Sequence, residues 1–282
     1  MTHTHYAPAK INLWLRVFQS DATGYHPLDT LFCAIDLCDR IEITTTGKGI
    51  HLAVQGADLG AVEQNLAYRA AREYYLAVGL PPSLQMTLHK NIPVGAGLGG
   101  GSSDAAAVLH ALQMMHDNRL PESDLLALAA RLGSDVPFFL CGSHLARATG
   151  RGEVLHALPQ LPQRNVLVLM PPFAINTREA YQWLDNDGGL TAANVHETQA
   201  DSWDDVAKAA VNDFEKVLFA RFPQLRQLRD ALHASGAAIA LLSGSGSALF
   251  GVYADAGRAE QARSELASRF GDVAIYPAQT MK

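Results

Sequence analysis

A glycine-rich stretch near the middle of the chain has the composition of a ligand-binding loop. Residues 93–106 read Pro-Val-Gly-Ala-Gly-Leu-Gly-Gly-Gly-Ser-Ser-Asp-Ala-Ala, with five glycines between positions 95 and 101. Glycine offers no side chain for packing and costs backbone entropy, so this run indicates a backbone that a ligand approaches closely. A helix is predicted to begin with Ser102, Ser103 and Asp104, where unpaired amides and the helix dipole favour an anion. The stretch therefore predicts a phosphate site.

Three different kinds of loop fit this stretch less well. The glycines at 95, 97 and 100 satisfy the dinucleotide-binding pattern, but no clear strand ending in an acidic residue follows about 20 residues later. A P-loop requires lysine directly after Gly100, where Gly101 stands. A surface linker fits poorly between an alternating strand and an alanine-rich helix. A dinucleotide-dependent oxidoreductase is kept as an alternative from a different class.

Three further places could turn a phosphate site into a phosphotransferase. Lys10 lies in an alternating strand and Asp135 at the expected start of a helix, and each alone could be an ordinary edge lysine or helix cap. Together, a carboxylate that accepts the proton of a hydroxyl and a cation that stabilises charge suit phosphoryl transfer. Gly244 and Gly246 lie between two predicted strands, either as a tight connection or as backbone that approaches a ligand.

The elements that must position these residues have the pattern of an α+β protein. The first 16 residues and residues 84–88 alternate as strands do. Helical spacing predicts helices over residues 65–77, 104–115, 123–132, 177–183, 204–216, 224–235 and 258–270. A proline-bearing stretch at residues 158–164 predicts a division into two domains, residues 1–160 and residues 161–282.

Composition and charge exclude several classes of protein. The net charge of -6 argues against a nucleic-acid partner, which also makes an RNA-binding protein an unfavoured alternative. No segment has the length of apolar sequence that a membrane span needs, and the first residues do not have a signal-peptide pattern. Cys33, Cys38 and Cys141 are expected to be free thiols, which indicates a reducing, cytoplasmic setting.

Six motifs, together with the two glycine loops, resemble the GHMP kinase superfamily, which includes galactokinase, homoserine kinase, mevalonate kinase and phosphomevalonate kinase. The motifs are Ala-Pro-Ala-Lys-Ile-Asn-Leu (7–13), Gly-Tyr-His-Pro-Leu-Asp-Thr (24–30), Gln-Asn-Leu-Ala-Tyr-Arg-Ala (64–70), Gly-Ser-Asp-Val-Pro-Phe-Phe (133–139), Ala-Thr-Gly-Arg-Gly-Glu (148–153) and Asn-Asp-Phe-Glu (212–215). The resemblance extends from residue 7 to about residue 253. It is strongest to the kinases whose acceptor is an alcohol carrying cytidine diphosphate.

The resemblance implies a two-domain GHMP kinase fold, with a ribosomal-protein-S5-like N-terminal domain, a ferredoxin-like C-terminal domain and the active site between them. It implies Lys10 and Asp135 as the catalytic pair, and Asn65 and Leu66 beside the adenine of ATP. The phosphates of ATP are expected along Pro93, Val94, Gly95, Ala96, Gly97, Leu98, Gly99, Gly100, Gly101, Ser102 and Ser103. Mg²⁺ is the expected metal, with Ser103 as its nearest ligand.

The same resemblance assigns residues to the acceptor. Tyr25 and Tyr181 are expected on the two faces of the cytosine, with His26 hydrogen bonded to it. Asn12 is expected at the alcohol end, and the loop with Gly244 and Gly246 also contacts substrate. A monomer or a homodimer is expected. The alternative within the superfamily is a kinase for a smaller alcohol, such as homoserine or mevalonate.

The chain departs from the family at the turn before Gly24. The family shows an arginine followed by an aspartate shortly before its Gly-Tyr-His, whereas this chain has Asp21, Ala22 and Thr23 there. The substitution leaves Tyr25 and His26 in place but removes any basis for assigning a role to that turn.

Overall fold

The computed structural model describes residues 2–45, 47–187, 190 and 198–282. Met1, which was predicted to lie in the first strand, is outside the described residues. The chain forms two compact units that are interleaved along the sequence. Unit 1 comprises Met1–Ala9, Cys38–Val94 and Gly99–Ser143, and unit 2 comprises Lys10–Leu37, Gly95–Leu98 and His144–Lys282. The contiguous division at residues 160 and 161 stays a prediction.

Unit 1 packs helices against a short mixed sheet. Its elements, the first two of which it shares with unit 2, are β1 (Thr2–Val17), β2 (Leu28–Thr44), β3 (Gly49–Gln55), α1 (Leu66–Val78), β4 (Ser83–His89), α2 (Gly100–Met115) and α3 (Glu122–Leu132). β4 is antiparallel to β2, with Ile41 opposite Leu88, and parallel to β3, with α1 as the crossover. The apolar faces of α1, α2 and α3 form one core with this sheet, centred on residues such as Tyr74 and Leu109.

Helix α2 begins at Gly100, two residues before the predicted first residue Ser102 and four before the predicted helical range 104–115. Gly99 is its N-cap with φ 71°, a left-handed conformation that glycine adopts without strain. The Ser103 amide already donates to the Gly99 carbonyl (2.9 Å). The unpaired amides at the helix start are therefore those of Gly100, Gly101 and Ser102, rather than those of residues 102–104.

Unit 2 contains an antiparallel sheet with helices in its long connections. Its further elements are β5 (Leu145–Thr149), β6 (Val154–Ala157), β7 (Asn165–Met170), α4 (Thr177–Asn186), α5 (Trp203–Ala209), α6 (Phe214–Arg221), α7 (Pro223–Ala234), β8 (Ile239–Leu242), β9 (Leu249–Tyr253), α8 (Ala256–Arg269) and β10 (Ala274–Gln279). The strand order β10-β7-β9-β8, with helices after β7 and β9, is the ferredoxin-like arrangement that was predicted. The α+β class is confirmed.

The helix predicted over residues 204–216 is two helices, and that part of the prediction is wrong. Between α5 and α6 the backbone leaves the helix and bonds to β1, since Leu15 N donates to Val211 O (2.7 Å) and Asp213 N donates to Leu15 O (3.0 Å). The Asn212 side chain is turned into the unit, where it is 3% exposed. Local helical spacing could not anticipate this break, because its partners are distant in sequence.

No helix in the described part of the chain combines the length and the apolar character that crossing a membrane requires.

Candidate active site

In unit 1, the start of α2 lies beside two of the predicted segments. A Cβ atom placed on Gly101 would be 3.6 Å from Leu66, and one placed on Gly133 would be 3.8 Å from the Ser102 hydroxyl. Asn65 is the N-cap of α1 and accepts from Ala67 N (2.9 Å). The structure therefore brings together the helix start, the Asn65–Leu66 pair and the turn that begins at Gly133.

Asp135 lies in that turn and is half-buried. The turn is closed by Val136 N, which donates to Gly133 O (3.1 Å). The helix expected near Asp135 is a four-residue 3-10 helix, Pro137–Leu140, which follows the turn. Asp135 is thus held by a tight turn.

Ser103 carries an unusual hydroxyl. Its side chain is 1% exposed, and its Oγ has no hydrogen-bond partner among the described residues. A buried polar atom without a partner is costly, so a hydroxyl in this position indicates a ligand that completes it. The Ser103 oxygen is a suitable ligand for Mg²⁺. Within the described ranges, no group of three or more His, Cys, Asp or Glu could hold a metal.

A buried charge cluster that sequence analysis missed fixes the start of α2. The Lys90 ammonium, with a side chain that is 5% exposed, bonds to Asp39 and to Asp104 Oδ2 (2.8 Å). Asp39 Oδ1 also accepts from the amides of Asn91 (2.6 Å) and Ile92 (2.9 Å). Lys90 follows β4 and Asp104 lies in the first turns of α2, so the cluster ties the two ends of residues 91–99 together.

The two carboxylates of this cluster share one lysine. Burial raises the pKa of Asp104 to about 7, while the Lys90 ammonium lowers it and Asp39 raises it further. Asp104 Oδ1 has no partner among the described residues. The sequence did contain a signal, because Asp104 has the same helical spacing as the buried Val108 and Leu112.

In unit 2, Lys10 is buried and its ammonium contacts Asn12 and Phe32. Its side chain is 3% exposed, and Nζ donates to Asn12 Oδ1 (2.7 Å) and lies 5.2 Å from the centre of the Phe32 ring. Asn12 Oδ1 also accepts from Gly244 N (2.9 Å), and Asn12 Nδ2 donates to Thr30 Oγ1 (2.8 Å). Lys10, Asn12 and Gly244 are therefore neighbours, as predicted for residues of one site. The expected contact of Asn12 with the acceptor stays a prediction.

The segment 95–98 requires glycine at position 97. A Cβ atom there would lie 2.1 Å from the Ser243 carbonyl oxygen, and φ is 78°. The close approach allows Ser243 Oγ to donate to Gly97 O (3.0 Å) and Ala248 N to donate to Ala96 O (3.2 Å). Lys10 N donates to Leu98 O (2.9 Å), so the two glycine-rich segments and β1 meet in unit 2.

The motif at residues 212–215 holds the loop at residues 243–247. Asn212 Nδ2 donates to Leu242 O (2.8 Å) and to Gly244 O (2.9 Å), and Glu215 Oε1 accepts from Leu242 N (2.8 Å). Burial raises the pKa of Glu215 to about 7, against the lowering effects of the Leu242 hydrogen bond and Arg229. The sequence motif had no assigned role, because its role depends on contacts between residues about 30 positions apart.

The predicted base-binding residues also belong to unit 2. The Tyr25 side chain is 54% exposed. The His26 and Tyr181 rings stack, with centroids 5.2 Å apart and planes at 23°. His26 Nδ1 donates to Phe18 O (2.8 Å), and Nε2 lies 3.3 Å from Asp185 Oδ1. The Phe18 contact fixes the tautomer, because only a protonated Nδ1 can bond to a carbonyl.

The remaining predicted positions serve as connections. Gly246 N donates to Ser243 O (3.0 Å) inside the loop that carries Gly244. The Ser245 hydroxyl is 2.8 Å from that of Thr177, at the start of α4. Pro93 and Val94 lead into the glycine run, and Val94 is exposed.

Comparison with known proteins identifies the same fold. Residues 65–143 match the family described as GHMP kinases N terminal domain, and residues 193–272 match GHMP kinases C terminal. A homoserine kinase structure from Cytophaga hutchinsonii is 19% identical, with a TM-score of 0.72 over 99% of this chain and 94% of that one. That likeness concerns the fold alone. The fold is that of the GHMP kinases, which are ATP-dependent kinases.

Closer relatives define the family. A protein of Solibacter usitatus named 4-diphosphocytidyl-2-C-methyl-D-erythritol kinase is 42% identical over 261 residues, covering 90% of this chain and 82% of that protein. A crystal structure of 4-(cytidine 5'-diphospho)-2C-methyl-D-erythritol kinase is 36% identical, with a TM-score of 0.84 over 99% of this chain and 100% of that one. The chain belongs to the 4-diphosphocytidyl-2-C-methyl-D-erythritol kinase family. Membership of this family rules out the two alternatives from other classes, a dinucleotide-dependent oxidoreductase and an RNA-binding protein.

Proposed function

We propose that this chain transfers the γ-phosphate of ATP to the 2-hydroxyl of 4-diphosphocytidyl-2-C-methyl-D-erythritol, a step in the non-mevalonate route to isoprenoid precursors. The proposal rests mainly on the start of α2, where three amides and the buried hydroxyl of Ser103 have no partner among the residues that the structure describes. The names of the relatives supply the acceptor.

The groups of unit 1 have roles at the transferred phosphate. The amides of Gly100, Gly101 and Ser102 bind phosphate oxygens, and the dipole of α2 favours their negative charge. Asp135 orients the acceptor hydroxyl and takes its proton as the new O–P bond forms and the bond to ADP breaks. Asn65 and Leu66 contact the adenine.

Magnesium completes the nucleotide site in this proposal. Ser103 Oγ is the ligand that the chain offers, because it is buried and has no other partner among the described residues. When bound, Mg²⁺ neutralises charge on the phosphates.

The groups of unit 2 stabilise charge and recognise the acceptor. Lys10 stabilises the negative charge of the transferred group, and Asn12 with Gly244 keeps its ammonium in place. Tyr25 and Tyr181 stack on the cytosine. His26, which contacts Phe18 O through Nδ1 and Asp185 through Nε2, is the residue assigned to hydrogen bond to the base. A pyrimidine with a diphosphate tail is therefore the recognised part of the acceptor.

The proposal is tested by kinase assays with three acceptors: the cytidyl substrate, homoserine and mevalonate. We expect activity with the cytidyl substrate alone. Turnover of homoserine or mevalonate in its place would favour the alternative GHMP kinases and refute this proposal.

Two substitutions test the assigned chemistry. Asp135→Asn should lower kcat by about 10²- to 10⁴-fold, and Lys10→Ala by about 10²- to 10³-fold, with ATP binding retained. Asp124→Asn and Lys208→Ala, which change side chains of the same types outside the site, are the controls and should keep normal turnover. Near-normal turnover of either site variant would remove that residue from the mechanism.

We also propose a cytoplasmic enzyme. None of Cys33, Cys38 and Cys141, all of which the structure describes, is in a disulfide, which supports a reducing compartment. A monomer or homodimer remains the expected state, which sedimentation measurements would establish.

A further inference from the structure

The turn between β5 and β6 presents an arginine to the ring of Tyr25. The Arg151 guanidinium carbon lies 3.6 Å from the centre of that ring. Arg151 Nη2 also donates to Thr23 Oγ1 (3.1 Å). Arg151 therefore contacts both the ring and the turn that precedes it, and neither the proposed chemistry nor the sequence motif assigns it a role.

The turn before Tyr25 is organised by Asp21. Its carboxylate accepts from the amides of Thr23 (2.8 Å) and Tyr25 (3.2 Å) and from the Thr23 hydroxyl. The pKa of Asp21 is lowered mainly by the hydrogen bonds from Thr23, so the carboxylate is ionised at neutral pH. Asp21 thus fixes the backbone of Tyr25, but the cation–π contact with the ring comes from Arg151.

The turn that carries Arg151 is anchored to the strand that follows His26. Gly150 O accepts from Leu28 N (2.8 Å), and Gly152 N donates to Thr149 O (3.1 Å). The Glu153 carboxylate accepts from Arg151 N (2.6 Å). The backbone of Arg151 therefore has a fixed position relative to residues 26–28, and its guanidinium reaches Tyr25 from a defined side.

We propose that Arg151 is a specificity-determining residue that holds Tyr25 as a stacking platform for a pyrimidine base. A ring with half of its surface exposed loses rotational freedom when a base stacks on it, and that loss weakens binding. Arg151 covers one face of the ring by a cation–π contact and leaves the other face for the base. The arginine that the family has before Gly24 is replaced here by Asp21, and Arg151 brings a guanidinium to this turn from another part of unit 2.

This inference rests on the proposed function, in which Tyr25 stacks on cytosine. Calorimetric titration with cytidine 5'-diphosphate tests it without catalysis. Arg151→Ala should weaken the Kd for cytidine diphosphate by about two- to tenfold, the range of an exposed to partly desolvated cation–π contact. Arg151→Lys keeps the charge but loses the planar group, and should recover only part of the affinity. Arg178→Ala, an exposed arginine of α4, is the control and should bind normally.

Two further measurements separate a specific role from a structural one. In steady-state assays, Arg151→Ala should raise KM for the cytidyl acceptor more than it lowers kcat, and should leave KM for ATP unchanged. In a Tyr25→Ala background, Arg151→Ala should have no further effect, because the arginine acts through that ring.

The outcomes are distinguishable. Unchanged or tighter binding by Arg151→Ala, while the wild-type chain binds cytidine diphosphate, overturns this inference alone and leaves the proposed function intact. Absence of both binding and phosphorylation in the wild-type chain overturns the proposed function and this inference together. A loss in Arg151→Ala that persists in the Tyr25→Ala background also overturns it, since the effect would then not pass through Tyr25.

Discussion

The two units hold their glycine-rich segments with different buried polar groups. In unit 1, Lys90 joins Asp39 and Asp104 at the two ends of the phosphate loop. In unit 2, the amides of Asn12 and Asn212 join the loop at residues 243–247 to its neighbours. One arrangement depends on charge neutralisation. In the other, most contacts to the loop and its ends come from the neutral amides of Asn12 and Asn212, with the Glu215 carboxylate accepting from Leu242 N.

This difference in buried polar groups predicts how the stability of each region responds to substitution. Removal of one ion from a buried cluster leaves the others without compensation, whereas removal of one amide leaves neutral carbonyl groups unpaired. The charged region should therefore be more sensitive to substitution, and its stability should vary with pH because the pKa of Asp104 is raised to about 7. The following experiments test that comparison.

The largest effect is expected for Lys90→Met. The substitution leaves Asp39 and Asp104 buried without their cation, so the free energy of unfolding should fall by about 3–5 kcal/mol. Urea unfolding measures it. Lys48→Met changes an exposed lysine of the same unit and should stay within about 0.5 kcal/mol of the wild type. A loss as small as that of the control would mean that the cluster does not stabilise unit 1.

A smaller effect is expected for Asn212→Ala. Leu242 O and Gly244 O lose their donor, which should lower the free energy of unfolding by about 1–3 kcal/mol. Asn212→Asp should be more harmful than Asn212→Ala, because it places an acceptor against two carbonyl oxygens. Asn186→Ala, at an exposed position in α4, is the matched control. If Asn212→Ala destabilises more than Lys90→Met, the comparison between charged and neutral regions is wrong.

The last and most gradual effect is the pH dependence expected for Asp104→Asn. The pKa of Asp104 is about 7 in the folded chain, above its ordinary value of 3.8, so the folded state binds this proton more tightly than the unfolded state does. Its contribution to stability is present at low pH and is lost as pH rises toward 7, by at most about 1.4 kcal/mol per pH unit. The wild-type chain should therefore lose stability relative to Asp104→Asn between pH 5 and pH 7.

Urea unfolding at several pH values from 5 to 8 measures this difference. Other groups that titrate in this range, such as Glu215, are common to both chains and cancel in the comparison. A difference that stays constant with pH would show that Asp104 does not change its protonation in this interval.

Sequence patterns predicted the elements and the main site residues where the signal was local. The alternation of Ile11, Leu13 and Leu15 predicted β1, and the glycine run predicted a helix start at Ser102, two residues after the observed start at Gly100. Lys10 and Asp135 were identified through motifs, and their roles remain predictions. Local periodicity and motif spacing were sufficient for these features.

The features that sequence analysis missed depend on partners distant in the chain. Lys90 meets Asp39 across 51 residues, and Asn212 meets Leu242 across 30. The break between α5 and α6 has the same cause, because β1 supplies its hydrogen bonds. Arg151 contacts Tyr25 from the motif at residues 148–153, to which the sequence assigned no role. Such contacts follow from topology, which single-residue propensities do not contain.

The interleaved course of the chain has a consequence for synthesis on the ribosome. Every residue of unit 1 has been made by Ser143, whereas the sheet of unit 2 needs β10, which pairs with β7. Lys10 and Asn12 therefore emerge early but receive Gly244 only after most of the chain has been translated. Since domains fold as their residues become available, the nascent chain should acquire α2 well before its buried Lys10 is fixed.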